Sequence, residues 1–394
     1  MEDAASALKI SIPFAHTPGW AAQQSLTRSI LLSLQPQVQH AGGTAELLVL
    51  KKEKEAAFTG IPRGMGVPLK SIPPECWWDA DLRQRLLEST GCSVVLNLYL
   101  PPIPPPRGMG LVGWIFDFQH VHLAHYFSVA EIALRNQTFR QMAEQCDLVM
   151  LSSEDATRDF AQFVPEYAHK ARVHPFPSAL AFKKLPAGDP RPRVAAYHVP
   201  SKYILVANQF WTHKNHAAVI DAVSICRQRG LDIPVVFTGL PNDERDPSNG
   251  YVSSVLQRIA RQNVSGLVLP LGLVPLDDLV ALMRCAALII QPSRFEGWST
   301  IVEDAKALGR PVMCSNLPLH REQHPGALGF FDCDDPEKLA ALLQEHWEKL
   351  PAGPNPAKEE SALRGAQTFS RAYGAGLLRT CQEAAELAGA RGAS

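Results

Sequence analysis

The 394-residue sequence has no apolar run of the roughly 18 residues needed to cross a bilayer as a helix, and its first residues lack the basic-then-apolar pattern of a signal peptide. Both absences lead us to expect a cytoplasmic protein and leave open a peripheral membrane contact. An excess of one charge is also missing, because 38 Lys and Arg face 39 Asp and Glu for a formal net charge of -1. That balance speaks against a dominant nucleic-acid surface or a polybasic membrane anchor, and a local basic patch is still compatible with it. No CxxC pair occurs, so neither a zinc site nor a dithiol redox centre is expected. The eight cysteines are scattered, mostly among apolar neighbours, and read as buried thiols in a reducing compartment. Short-period repeats and low-complexity tails are absent too. What is there is 46% hydrophobic and 20% charged, an ordinary globular composition on a length that suits two domains, each with its own core.

Apolar strand-like segments alternate with helical stretches throughout. "LKISIPF" (8–14), "TAELLVL" (44–50), "CSVVLNLYL" (92–100), "LVGWIFD" (111–117) and "DLVMLSS" (147–153) form a first set. "YILVANQ" (203–209), "PVVFTG" (234–239), "GLVLPLG" (266–272), "ALIIQPS" (287–293) and "RPVMCSN" (310–316) form a second. Strands without a polar face are buried on both sides, which implies parallel sheets covered by helices and an α/β fold built twice. The proline-rich, mixed-charge segment 183–202 reads as an interdomain linker with the boundary near Pro190. The expected division is therefore 1–189, 190–360 and a C-terminal helix over 361–394 that packs back on the first domain. "PPIPPPRGMG" (101–110) reads as an extended, semi-rigid surface segment.

Ligands of open parallel sheets bind beyond the carboxyl ends of the strands, and the candidate motifs fall there. "ALIIQPS" runs into Arg294-Phe295-Glu296-Gly297-Trp298, after which Ser299 and Thr300 open a helix and Gly309 ends it. The first turn of that helix has unpaired N–H groups and partial positive charge, which suits a phosphate. Gly297 permits close backbone approach, and Glu296 can accept hydrogen bonds from sugar hydroxyls. Asp304 lies one turn beyond Thr300 and can lean towards the same rim. The same pattern also fits a solvated loop acid followed by helix-surface acids. After the first strand of the second set, Lys214 stands before a helix where an ammonium could meet a diphosphate, with Asn208 and Gln209 adding neutral hydrogen bonds. In the first half, "FDFQHVHLAHYFS" (116–128) gathers Asp117, His120, His122 and His125, but its spacing matches no standard zinc signature, so a sugar-binding or helix-capping role fits better than a metal site. "AHTPGWAAQQ" (15–24), with Gly19 and Trp20, passes from a glycine-containing loop into a helix at another strand end and could help form a cleft between the domains.

With these residues assembled, the second half resembles the donor-binding half of family 4 retaining glycosyltransferases over about residues 203–343. The resemblance runs through Lys214, "FTG" ending at Gly239, the Glu-to-acid spacing of "RFEGWSTIVED", and "SNLPLHRE" (315–322). The first half is more weakly similar, through "FDFQH" and "CDLVMLSSEDATRDF" (146–160). It implies a GT-B fold, two Rossmann-like doubly wound parallel-sheet domains facing a cleft. It also implies sugar transfer from a nucleotide-diphosphate sugar to a glycan, lipid-linked or other hydroxyl acceptor, with retention and with neither cofactor nor metal. Under it Glu296 contacts the donor sugar, Asp304 holds the ribose, Lys214 meets the diphosphate and the amides around Gly297, Trp298, Ser299 and Thr300 cradle phosphate. Asp117 lines the sugar site and joins Glu296 and Lys214 as a catalytic candidate, and Gly19, Trp20 and His120 lie on the acceptor side. The chain departs from the family at three points. Asp304 is one methylene shorter than the usual Glu, with Glu303 about 100° away around the helix; Gln209 replaces an Arg; and Phe116 replaces a His. The resemblance further suggests polysaccharide or cell-surface glycan synthesis. Hydrolysis or epimerisation of a nucleotide sugar, or a non-catalytic partner role, are the competing expectations.

Overall fold

The structure, a computed structural model, describes residues 7–14, 22–50, 68–77, 79–98, 106, 108–183, 185, 188–242 and 248–393. The described residues divide into two compact units, one of residues 1–182 and 367–394, the other of residues 183–366. The first holds β1 (Lys9–Phe14), β2 (Thr44–Leu50), β3 (Leu69–Ile72), β4 (Val94–Asn97), β5 (Gly110–Ile115), β6 (Leu148–Leu151) and β7 (Ala171–Val173). They form one parallel sheet in the order β3-β2-β1-β4-β5-β6-β7. The second unit holds β8 (Ile204–Ala207), β9 (Val235–Thr238), β10 (Val268–Gly272), β11 (Leu288–Gln291), β12 (Val312–Ser315) and β13 (Gly329–Phe331). Its sheet is also parallel, in the order β10-β9-β8-β11-β12-β13.

The burial of each strand follows from its place. Central strands such as β8 and β11 are buried at every residue, as their uninterrupted Ile, Leu and Val require. Edge strand β10 is only partly buried, and it accommodates Pro270 because a proline without an N–H is tolerated where no outer neighbour needs that donor. The second core is built from Ile204, Val206, Phe237, Leu288, Ile290 and residues of the covering helices. In both sheets the winding reverses, between β1 and β4 in one and between β8 and β11 in the other. Such reversals open a crevice at the carboxyl ends of the two diverging strands.

Three features differ from the sequence reading. The short edge strands β3, β7 and β13 were not apparent, because three or four residues carry no readable period. The unit boundary falls between Phe182 and Lys183 rather than near Pro190. The expected linker is docked on its own unit: a short helix Arg191–Ala195 buries Val194, Arg193 Nη1 and Tyr197 Oη each reach Asp278 at 2.5 Å, and Lys183 pairs with Asp277. The last helix runs from Pro356 to Ala393, and its residues from Gln367 onward join the first unit. Ser33–Ser370, His174–Thr380 and Arg172–Glu383 hydrogen bonds and the Asp147–Arg391 pair hold it there. Residues 101–105 and 107 of the proline-rich stretch, and Gly19 with Trp20, lie outside the described residues.

Candidate functional site

The loops after β8 and β11 both start at the switch point of the second sheet, and their side chains meet. β11 ends in Gln291, followed by buried Ser293 and the half-buried turn Arg294–Trp298. Ser299 caps the helix Thr300–Ala307, its Oγ accepting from Val302 N at 3.4 Å. Gly309, at φ +60°, supplies the left-handed conformation beyond the helix end. From across the site Gln323 grips both backbone groups of Ser299: its Oε1 accepts from Ser299 N at 3.1 Å and its Nε2 donates to Ser299 O at 2.8 Å. The same Nε2 donates to Glu303 Oε1 at 3.1 Å, and Lys306 Nζ adds a 2.7 Å bond to that oxygen. Glu303 is thus buried under its helix, and burial raises its carboxyl pKa despite Lys306 and Gln323. Asp304, on the neighbouring face, is half-buried.

After β8 the chain makes a short 3-10 turn, Thr212–Lys214, and enters the helix His216–Gln228 through Asn215 in the left-handed region. The two loops are tied by Arg294 N donating to His213 O at 2.7 Å. Lys214 Nζ lies 2.7 Å from Glu296 Oε1, and the two side chains are only 15% and 8% exposed. Burial alone would raise the Glu296 pKa; the charge and hydrogen bond of Lys214, with a hydrogen bond from Ser293, outweigh it and hold the carboxyl below its usual range. Glu296 is therefore an ionised, largely desolvated carboxylate paired with Lys214 of the opposite loop. Gln291 Nε2 also donates to Glu296 Oε1, at 2.5 Å, and to Ser293 Oγ at 3.0 Å. Asn208 is buried, with its amide spent on Gln291 Oε1 at 3.0 Å. Behind them His320 is fully buried, its Nδ1 2.9 Å from Ser315 O, while Ser315 Oγ donates to Ser293 O at 2.5 Å. Burial depresses the imidazole pKa, with the Glu296 charge acting the other way.

The remaining sequence candidates separate by position. Gln209 is half-buried in the β8 loop, with its Oε1 buried and unpartnered. Gly239 is required by packing: at φ +148° a Cβ would stand 2.0 Å from the carbonyl oxygen of Asn208. In the first unit Asp117 accepts from Gln119 N at 2.9 Å, two residues on, while Phe118 stands at the N-cap of the helix Gln119–His122 without a side-chain bond, and Phe116 packs edge-on against Trp114. His120 is buried among Phe118, Phe127, Phe139 and Phe163, its Nε2 2.9 Å from Asn136 Oδ1, so it is a core histidine rather than an open surface group. His122 pairs with Asp159 at 2.8 Å. Among the described residues no cluster of three His, Cys, Asp or Glu could hold a metal, and no helix is long and apolar enough to cross a membrane. The sequence reading missed Gln291, Ser293, His320 and Gln323. The signal for the first two was a polar pair closing the otherwise apolar "LIIQPS".

Residues 201–349 match the family model of glycosyl transferases group 1. A comparison with curated proteins gives no match. Among solved structures the chain is similar to Anabaena Alr3699/HepE in complex with UDP and glucose, at 16% identity and TM-score 0.65, covering 96% of this chain and 99% of that one. It is similar to the α,α-trehalose-phosphate synthase (UDP-forming) of Burkholderia xenovorans in complex with glucose-6-phosphate, at 12% identity and TM-score 0.64 over 95% and 100%. It is also similar to the sucrose-phosphate synthase of Thermosynechococcus elongatus, at 14% identity and TM-score 0.61 over 98% and 100%. The fold is therefore GT-B, two parallel-sheet α/β units in one chain.

Proposed function

We propose that the protein is a retaining glycosyltransferase that moves a sugar from a nucleotide-diphosphate donor to a hydroxyl of a glycan, lipid-linked or other acceptor. The observation that carries this is the buried Lys214–Glu296 pair at the switch point, beside the amino end of the helix Thr300–Ala307. A cation and a helix N-terminus suit a diphosphate, and an ionised carboxylate one turn away suits sugar hydroxyls. The group 1 match over these residues and the similar structures that hold UDP with glucose support the reading.

As the glycosidic bond breaks, negative charge grows on the departing diphosphate. Lys214 and the first N–H groups of the helix would stabilise that charge where it develops. Glu296 then orients the sugar rather than attacking it, and acceptor and leaving group share one face of the ring, which retains configuration. Asp304 on the same helix takes the ribose hydroxyls.

The test is a thermal-shift screen over UDP-, ADP- and GDP-sugars, because a ligand that binds only the folded state raises Tm by mass action. At least one nucleotide sugar raises Tm in the wild type and fails to do so in Lys214→Ala; no shift with any of them would overturn the reading. Retention is checked separately, by the anomeric configuration of the product in NMR.

A further inference from the structure

Gln291 is the last residue of β11, only 1% exposed, and it follows Leu288, Ile289 and Ile290 in a strand otherwise made of apolar residues. Burying a primary amide is costly unless its groups are bonded, and here both ends are. Its Nε2 donates to Glu296 Oε1 at 2.5 Å and to Ser293 Oγ at 3.0 Å, and its Oε1 accepts from Asn208 Nδ2 at 3.0 Å. The direction of this chain is set by charge. The ionised carboxylate can only accept, so the amide nitrogen of Gln291 must face it; its oxygen then faces Asn208, which must present its own NH2. Lys214 donates to the same carboxylate oxygen at 2.7 Å. Two donors converge on Oε1, and with a further hydrogen bond from Ser293 to the carboxylate they fix its rotation; Oε2 lies outside the Lys214 and Gln291 bonds.

We propose that Gln291 is a positioning residue: by holding Glu296 Oε1 inward, it presents Oε2 to the hydroxyls of the donor's sugar, and Asn208 acts through Gln291 rather than on the donor. The inference rests on the donor-site reading above. It separates two parts of the ligand, since Gln291 governs the contact to the sugar and leaves Lys214 and the helix amides to the diphosphate.

Calorimetry with UDP-glucose and UDP reads this directly, or with the corresponding ADP or GDP pair if the screen selects that base. In Gln291→Leu the affinity advantage of the nucleotide sugar over the bare diphosphate falls about tenfold or more, while binding of the diphosphate is retained. Gln291→Leu added to Glu296→Gln lowers that advantage no further than Glu296→Gln alone, because the two act through one contact. Equal weakening of both ligands, or an additive double variant, means Gln291 is only scaffold and overturns the inference while leaving the donor site standing. A wild type that binds neither member of any pair overturns the inference together with the reading beneath it. If the leucine variant does not fold, Gln291→Glu keeps the shape and the Asn208 bond but turns an oxygen towards Glu296, and the same selective loss is required of it.

Discussion

Lys214 and Glu296 share one desolvated position, so removing either leaves the other as an unpaired buried charge. Breaking such a pair costs about 3 kcal/mol or more, whereas removing both members is often far milder. Lys214→Met should therefore lower the unfolding free energy by about 3 kcal/mol in urea titrations, and Lys214→Met/Glu296→Gln should recover much of that loss. The pH dependence has the matching sign. The folded pKa of Glu296 is depressed below the unfolded value of about 4.3, so its contribution is present above that value and is lost as pH falls through the folded pKa. Glu303 behaves oppositely. Burial raises its folded pKa, so its protonated form is the one the fold prefers, and its contribution fades as pH rises from the unfolded value through the raised one. Glu303→Gln should accordingly have a Tm at or above wild type at pH 7, with the gap closing by about pH 4 as the wild-type carboxyl protonates. A Tm well below wild type at pH 7 would mean that the Lys306 and Gln323 bonds outweigh the cost of burial.

The helix Thr300–Ala307 has only eight residues, too short to be stable from its own propensity, so its position depends on what holds its first turn. Gln323 does this with three hydrogen bonds to Ser299 and Glu303. Gln323→Leu strands the N–H of Ser299 in a buried site, its C=O keeping only the bond from Glu303 N, which costs about 1–3 kcal/mol. Hydrogen exchange of the amides over 299–303 should accelerate, with the strands of the same sheet unchanged. This turn was legible in the sequence because each part of its signal is local: an apolar strand, then an acid, a glycine, a Ser-Thr cap and a helical period. Gln323, 24 residues on from Ser299, and the Asn208–Gln291 bond, 83 residues apart, were not, because a glutamine carries no mark of its partner until the strands are in order. Which of the acids at 303 and 304 is covered is not legible in the sequence for a related reason. Spacing gives the angle between them, but only the neighbouring helix Pro318–Gln323 decides which of the two is covered.

The strands of both sheets that lie inside neighbours on either side, and the edge strand β10, were readable as apolar runs, while the other three edges and the unit boundary depend on docking that composition does not encode. The C-terminal helix shows the same division most sharply. Its sequence announces a helix, but its tie to the first unit rests on Tyr373, Leu377, Cys381, Ala384 and Ala388, all buried at three- and four-residue spacing, and on polar pairs with residues 33, 172, 174 and 147. Gly110 in β5 fits only because it has no side chain: a Cβ there would stand 2.6 Å from the carbonyl oxygen of Ala384. Ending the chain after Ala366 would strip that covering from β5. Exposing the face that meets Tyr373 and Leu377 forfeits about 1.5–3 kcal/mol for each large side chain, together a substantial part of the 5–15 kcal/mol that stabilises a typical domain. Unit 2, which spans residues 183–366, keeps its whole sheet and the Lys214–Glu296 pair in such a chain. Calorimetric scans should therefore show the transition of the first unit lowered or abolished, while a second transition survives and still moves upward with the nucleotide sugar that stabilises the full chain. Loss of both transitions together would show that the two units fold as one cooperative body.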